Sequence, residues 1–205
     1  IVLDNANNFG GAVTVVSGNN VTLNDIGAID FAASTVSGNL VVTAAGAITD
    51  SGNLAITGTT SLTAGAANNI VLDNANNFGG AVTVVSGSNV TLNDIGAIDF
   101  AATTVSGNLV VTAAGAITDS GNLAITGTTS LSAGAANDIT LDSGNDFGGA
   151  VTVVSGKDVR LNDTGSIDLA SSTVSGYLDV TAGSGITESG VLTVGGNLWA
   201  ITNTG

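Results

Sequence analysis

Apolar and polar residues alternate in short runs along the whole chain, as in Ala12–Gly18 (AVTVVSG), Asn39–Gly46 (NLVVTAAG) and Thr60–Gly65 (TSLTAG). A period of two marks strands, because successive side chains of a strand point to opposite faces. Gly, Asn, Asp and Ser close the runs, through backbone freedom or local side-chain hydrogen bonds that favour turns. Superposed, the three runs place Val13, Leu40 and Leu62 in one inward column and Val15, Val42 and Ala64 in the next, with Thr14, Val41 and Thr63 facing outward. A second set follows them: Asn20–Asp25 (NVTLND), Ala47–Gly52 (AITDSG) and Asn69–Asn74 (NIVLDN), with Leu23, Ile48 and Leu72 inward. A third set is Ala28–Ser34 (AIDFAAS), Asn53–Gly58 (NLAITG) and Asn76–Gly80 (NNFGG).

The pattern repeats on a larger scale. GGAVTVVSG stands at Gly10–Gly18, Gly79–Gly87 and Gly148–Gly156, at equal spacing along the chain. Residues 1–69 and 70–138 differ only at Asn19/Ser88, Ser34/Thr103, Thr63/Ser132 and Asn69/Asp138. The copy at 139–205 has diverged, and only there do Lys157, Arg160, Tyr177, Glu188 and Trp199 occur. Three sets of strands divide a copy into three coils, with extra residues of Ala28–Gly38 in a loop. Each coil then averages about 23 residues, within the range of solenoid repeats. A strand this short cannot bury its apolar face alone, so the coils must stack on one another. The expectation is an all-β fold, a single solenoid running over residues 1–205. It is a parallel β-helix of about nine coils, roughly 43 Å long at ~4.8 Å per strand spacing.

Composition supports the strands and removes many functions. The chain is 43% apolar but only 3% aromatic and 9% charged, so it can fold despite a net charge of −14. Val, Ile and Thr suit a pleated surface, and the straight-chain helix formers are nearly missing. Two cations, Lys157 and Arg160, make no basic patch, which excludes nucleic acid and an anionic membrane as partners. With no Cys and no His, the Ser-His-Asp and Cys-His constellations and zinc centres are out of reach. The chain opens at Ile1, inside a repeat and without an initiator Met, and reads as a piece of something longer.

Carboxylates remain. Asp25, Asp30 and Asp50 could lie near one another, as a glycosidase needs, but they recur as Asp94, Asp99 and Asp119, which is the behaviour of turn residues. Asn24–Asp25, Thr49–Asp50 and Asp73–Asn74 superpose at strand ends, where stacked oxygens could hold calcium. The calcium-binding nonapeptide is absent, Ser143–Gly149 (SGNDFGG) being a loose echo, and hydrogen bonding along the turn accounts for the stack without metal. No catalytic, cofactor or metal residue is assigned. An ice-binding array needs a threonine at every outward step, and Val41 interrupts it. Phe9, Phe31, Phe78, Phe100 and Phe147 are read as core or corner residues, and Trp199 as packing within a modified last coil rather than a sugar platform.

The segment NLVVTAAGAITDSGNLAITGTTSLTAG (Asn39–Gly65) resembles the shaft repeats of filamentous haemagglutinin-like exoproteins, adhesins exported by two-partner secretion in Gram-negative bacteria. The resemblance implies a right-handed parallel β-helix, export through an outer-membrane β-barrel transporter, a secreted or cell-surface location, and host or neighbouring-cell glycans as ligands. The function expected is a non-enzymatic structural shaft of an adhesin or extracellular matrix fibre, its partner being itself through coil stacking. Two alternatives stand beside it. One is an amyloid-type or end-to-end polymerising fibre subunit, the other an ice- or polysaccharide-binding β-solenoid.

Overall fold

The computed structural model describes residues 1–203. Among these residues there is no helix, and every strand pairing is parallel. Strands from successive turns lie side by side in two long sheets that face each other across the core. The main path of the larger sheet makes ten steps from Val2–Asn7 to Leu198–Thr202, so the chain winds about ten turns. At ~4.8 Å per turn the rod is about 48 Å long.

The turn is shorter than a grouping of the strands in threes implies. Val21 pairs with Leu40, Leu40 with Thr60, and Thr60 with Val82. One turn therefore takes about 20 residues, at the short end of solenoid repeats. Main strands begin at Val21, Ile29, Leu40, Ile48, Thr60, Ile70 and Val82, alternately in the two sheets. Val90, which repeats Val21, then begins in the sheet opposite to it. A copy therefore makes seven half-turns, or three and a half turns rather than three, and consecutive copies present opposite faces. Only the longer half-turns carry a third short strand: Ser34–Val36 forms where the sequence suggested a loop, and Leu54–Ile56 forms within the expected third set.

The alternation of inward and outward residues is as expected, but the columns are regrouped. Leu23 stacks with Val42, Leu62 and Val84 in one sheet, not with Ile48 and Leu72. Leu40 lies between Val21 and Thr60, not beside Leu62, and Val13 pairs with Phe31. Across the core, Leu72, Leu92, Val111, Leu131 and Val153 form the facing column. All of these except Val13 are buried, and each apolar one of them is worth ~1.5–3 kcal/mol relative to exposure. Phe31, Phe78, Phe100 and Phe147 are fully within the core, while Phe9, at the N-terminal end, is only partly covered.

Polar ladders mark the starts of three groups of stacked strands. Asn20 Oδ1 accepts the Asn39 N–H at 3.0 Å, and Asn39 Oδ1 accepts that of Thr59 at 2.9 Å. The next ladder, Asn69–Asn89–Asn108–Thr128, stands at the edge of the other sheet. The third returns to the first edge as Asp138–Asp158–Tyr177. The ladders change side with each copy because the strands do.

Candidate functional surface

The acidic residues singled out in the sequence are occupied by backbone and side-chain donors around them. Asp25 closes the strand Val21–Asp25 and is buried, its Oδ1 accepting the Gly27 N–H at 2.8 Å and its Oδ2 that of Phe9 at 3.1 Å. Asp94 and Asp163 repeat the arrangement with Gly96 and Phe78, and with Gly165 and Phe147. Asp30 lies in the opposite sheet, accepting from the hydroxyls of Thr49 at 3.1 Å and Ser51 at 2.7 Å. Asp50 accepts from the Asp73 N–H and from Asn76 Nδ2 at 2.7 Å, and Asp119 does the same with Asp142 and Asn145. The structure thus brings Thr49–Asp50 beside Asp73–Asn74 but leaves Asn24–Asp25 in the other sheet. Among the described residues no three carboxylates converge on one point.

Burial pushes the carboxyls of Asp94 and Asp163 above the ordinary 3.8, against the pull of the two N–H groups that each accepts. The folded chain then holds these protons to higher pH than the unfolded chain does. Their stabilising contribution is complete below the ordinary value of 3.8 and is lost as pH rises through the raised folded values. The melting temperature is expected to be higher near pH 4 than near pH 7. Calorimetry checks this, and the Asp94→Asn/Asp163→Asn double variant should weaken the dependence, with Asp119, whose carboxyl is also pushed up by burial, supplying what remains.

Substitutions of the third copy gather on one sheet face. Thr140, Arg160, Asp179 and Trp199 are successive partners across the strands. Arg160 lies between Asp179 at 3.4 Å and Asp142 at 3.5 Å, and Lys157 between Asp158 at 3.1 Å and Asp138 at 3.8 Å. Exposed pairs like these contribute about 0–1 kcal/mol each, so the cations neutralise the face more than they hold it. Trp199 does pack, but outward: it is 47% exposed, and its ring meets that of Tyr177 edge-on at 5.5 Å and 66°. This cluster is invisible without the turn length, which decides which residues become neighbours.

At the C-terminal end the core opens. A cavity of about 220 Å³ is lined by Leu169, Val180, Ile186, Leu192, Leu198 and Ala200, among others. Ala200 stands where the first two copies have Leu62 and Leu131, which removes the side chain that would fill it.

A family described as "Repeats of unknown function (DUF5649)" matches residues 18–85, 87–154 and 156–205. Its units begin at or beside equivalent glycines, Gly18, Gly87 and Gly156, and so keep the period of the copies. No curated protein and no solved structure matches the chain.

Proposed function

The chain belongs to the DUF5649 repeat family, and on that premise we propose that it is a non-catalytic structural shaft of a secreted or cell-surface adhesin or matrix fibre. One observation carries this reading. Asp25, Asp30, Asp50 and their second-copy counterparts Asp94, Asp99 and Asp119, which are the chain's best candidates for chemistry, are bound to N–H and O–H groups of their own and neighbouring turns. They hold the turns rather than face a cleft. A continuous apolar core then runs the length of the stack, under a lateral surface dominated by Thr, Ser, Asn and Asp. A rod of this kind sets a distance and resists unfolding, and its net charge of −14 discourages side-to-side association. The resemblance to filamentous haemagglutinin-like shafts supports the extracellular setting and export through an outer-membrane β-barrel transporter.

Antibody raised against the 205-residue chain should stain intact source cells, and external protease should remove the stain. Staining that appears only after permeabilisation would overturn the surface reading.

A further inference from the structure

We propose that the stack carries built-in seams, strands at which the rod opens before it opens elsewhere: Val82–Ser86 and, one copy later, Val151–Ser155. The seams stand on geometry well inside the stack. Their use rests on the shaft reading, since in a shaft under load they are where the rod gives way.

The regular strands of the rod set the standard. Leu40–Ala44 pairs residue for residue with Val21–Asp25 below it, and Leu40–Thr43 with Thr60–Thr63 above it. Leu109–Ala113 does the same with Val90–Asp94 below, and Leu109–Thr112 with Thr129–Ser132 above. Val82–Ser86 departs from this on both sides. Below it, Val82, Thr83 and Val84 pair with Thr60, Ser61 and Leu62, but Ser86 pairs with Thr63, so Val85 has no partner and is 50% exposed. A bulge of this kind leaves its extra residue unpaired and breaks the ladder locally. Above it, Val82 alone pairs with a strand of the next turn, at Phe100, and the Val84 N–H donates to the Thr103 hydroxyl at 3.2 Å instead of to a ladder carbonyl. Val151–Ser155 repeats each step. Val154 is 54% exposed, Val151 alone pairs with Leu169, and the Val153 N–H donates to Ser172 Oγ at 2.9 Å.

A second weakness lies in the core of the same interfaces. Thr60, beneath Val82, and Thr129, beneath Val151, are fully buried, and their hydroxyls have no hydrogen-bond partner. Leu40 and Val82 enclose Thr60 along the stack, and Leu109 and Val151 enclose Thr129. A hydroxyl in such a place loses its hydration and gains nothing in return. Opening the seam wets that hydroxyl, so the group that weakens the closed state also favours the open one. The two seams lie in opposite sheets, because the copies do. The rod therefore has a weak strand on alternate sides, with three and a half turns, about 17 Å at ~4.8 Å each, from one to the next.

Hydrogen exchange of the 205-residue chain, read strand by strand, tests this. Val82–Ser86 should exchange about tenfold faster than Leu40–Ala44 and Leu109–Ala113, the regular strands on either side of it along the rod. Fraying from the ends cannot give that order, because it would make Leu40–Ala44 the faster of the first pair. Thr60→Val keeps the shape of the side chain and removes the unpaired hydroxyl. It should slow exchange at Val82–Ser86 about tenfold and leave Val151–Ser155 unchanged, while Thr129→Val should do the reverse. Exchange at Val82–Ser86 as slow as in the two regular strands would overturn the proposal. So would a Thr60→Val variant in which exchange there is unchanged or faster. None of these results depends on where the protein resides in the cell, so the surface reading stands or falls separately.

Discussion

Val111→Asp is expected to cost ~3–5 kcal/mol, whereas Thr112→Asp, the next residue, should cost less than about 0.5 kcal/mol. Val111 is buried between Leu92 below and Leu131 above, with no donor aimed at it, so a carboxylate there would lose its water without gaining a partner. Thr112 points out of the same strand into solvent. The contrast is sharp because adjacent strand residues occupy opposite faces, and the site lies in mid-rod, where no open end can relax the charge. Urea melts of the two variants read the difference directly. Equal losses would mean that the strand register is wrong by one residue.

Deletion of residues 70–138 should leave a folded rod that is shorter by three and a half turns, about 17 Å at ~4.8 Å each. The deletion joins Asn69 to Ile139, and Ile139–Phe147 can then settle on Ile48–Asp50 and Leu54–Ile56 as Ile70–Phe78 does in the intact chain. Local pairing is kept, but the whole third copy moves to the opposite side of the rod. Arg160 and Trp199, which share a sheet with Val21 in the intact chain, would share one with Ile29 instead. Stability should fall by the stacking energy of the lost turns, as in other repeat proteins. Deleting residues 70–104 instead joins Asn69 to Val105, so a short corner strand meets a position that needs a main strand. That variant should fail to fold. Small-angle scattering measures the length of the first, and circular dichroism the collapse of the second.

Much of this architecture was legible in the sequence. Alternation alone fixed which of Val13, Thr14 and Val15 face the core, and the near identity of the first two copies required a stacked repeat. The phase of the stacking was not legible from apolar pattern, because VTLND, LVVTA and TSLT are of similar length and texture, so similarity cannot say which lies on which. Treating Asn20–Asp25 as a second face made the turn too long. The signal that would have corrected it is polar: an Asn precedes Val21 and Leu40, and another precedes Ile70, Val90 and Leu109, and within each of these two ladders successive residues lie one turn apart. The role of Asp25 was hidden for a related reason, since it reaches the N–H of Phe9 only once the turn is closed. Trp199 showed itself as an anomaly, but its neighbours Asp179 and Tyr177 follow only from the turn length.

The half-turn advance of each copy is tested most directly by spin labels on cysteines placed at Thr43, Thr112 and Thr181, the same outward position in the three copies. Electron–electron resonance on pairwise-labelled chains reads the distances between them. Thr43 and Thr181 lie in one sheet and Thr112 in the other. The backbone separation from Thr43 to Thr181 should be about 34 Å, and that from Thr43 to Thr112 about 20 Å across the core, at ~4.8 Å per turn and ~10 Å between sheets. Labels on opposite faces should add to the shorter distance. If each copy instead made three whole turns, all three labels would line one face, at about 14 Å and about 29 Å from Thr43. Those two values would contradict the fold described.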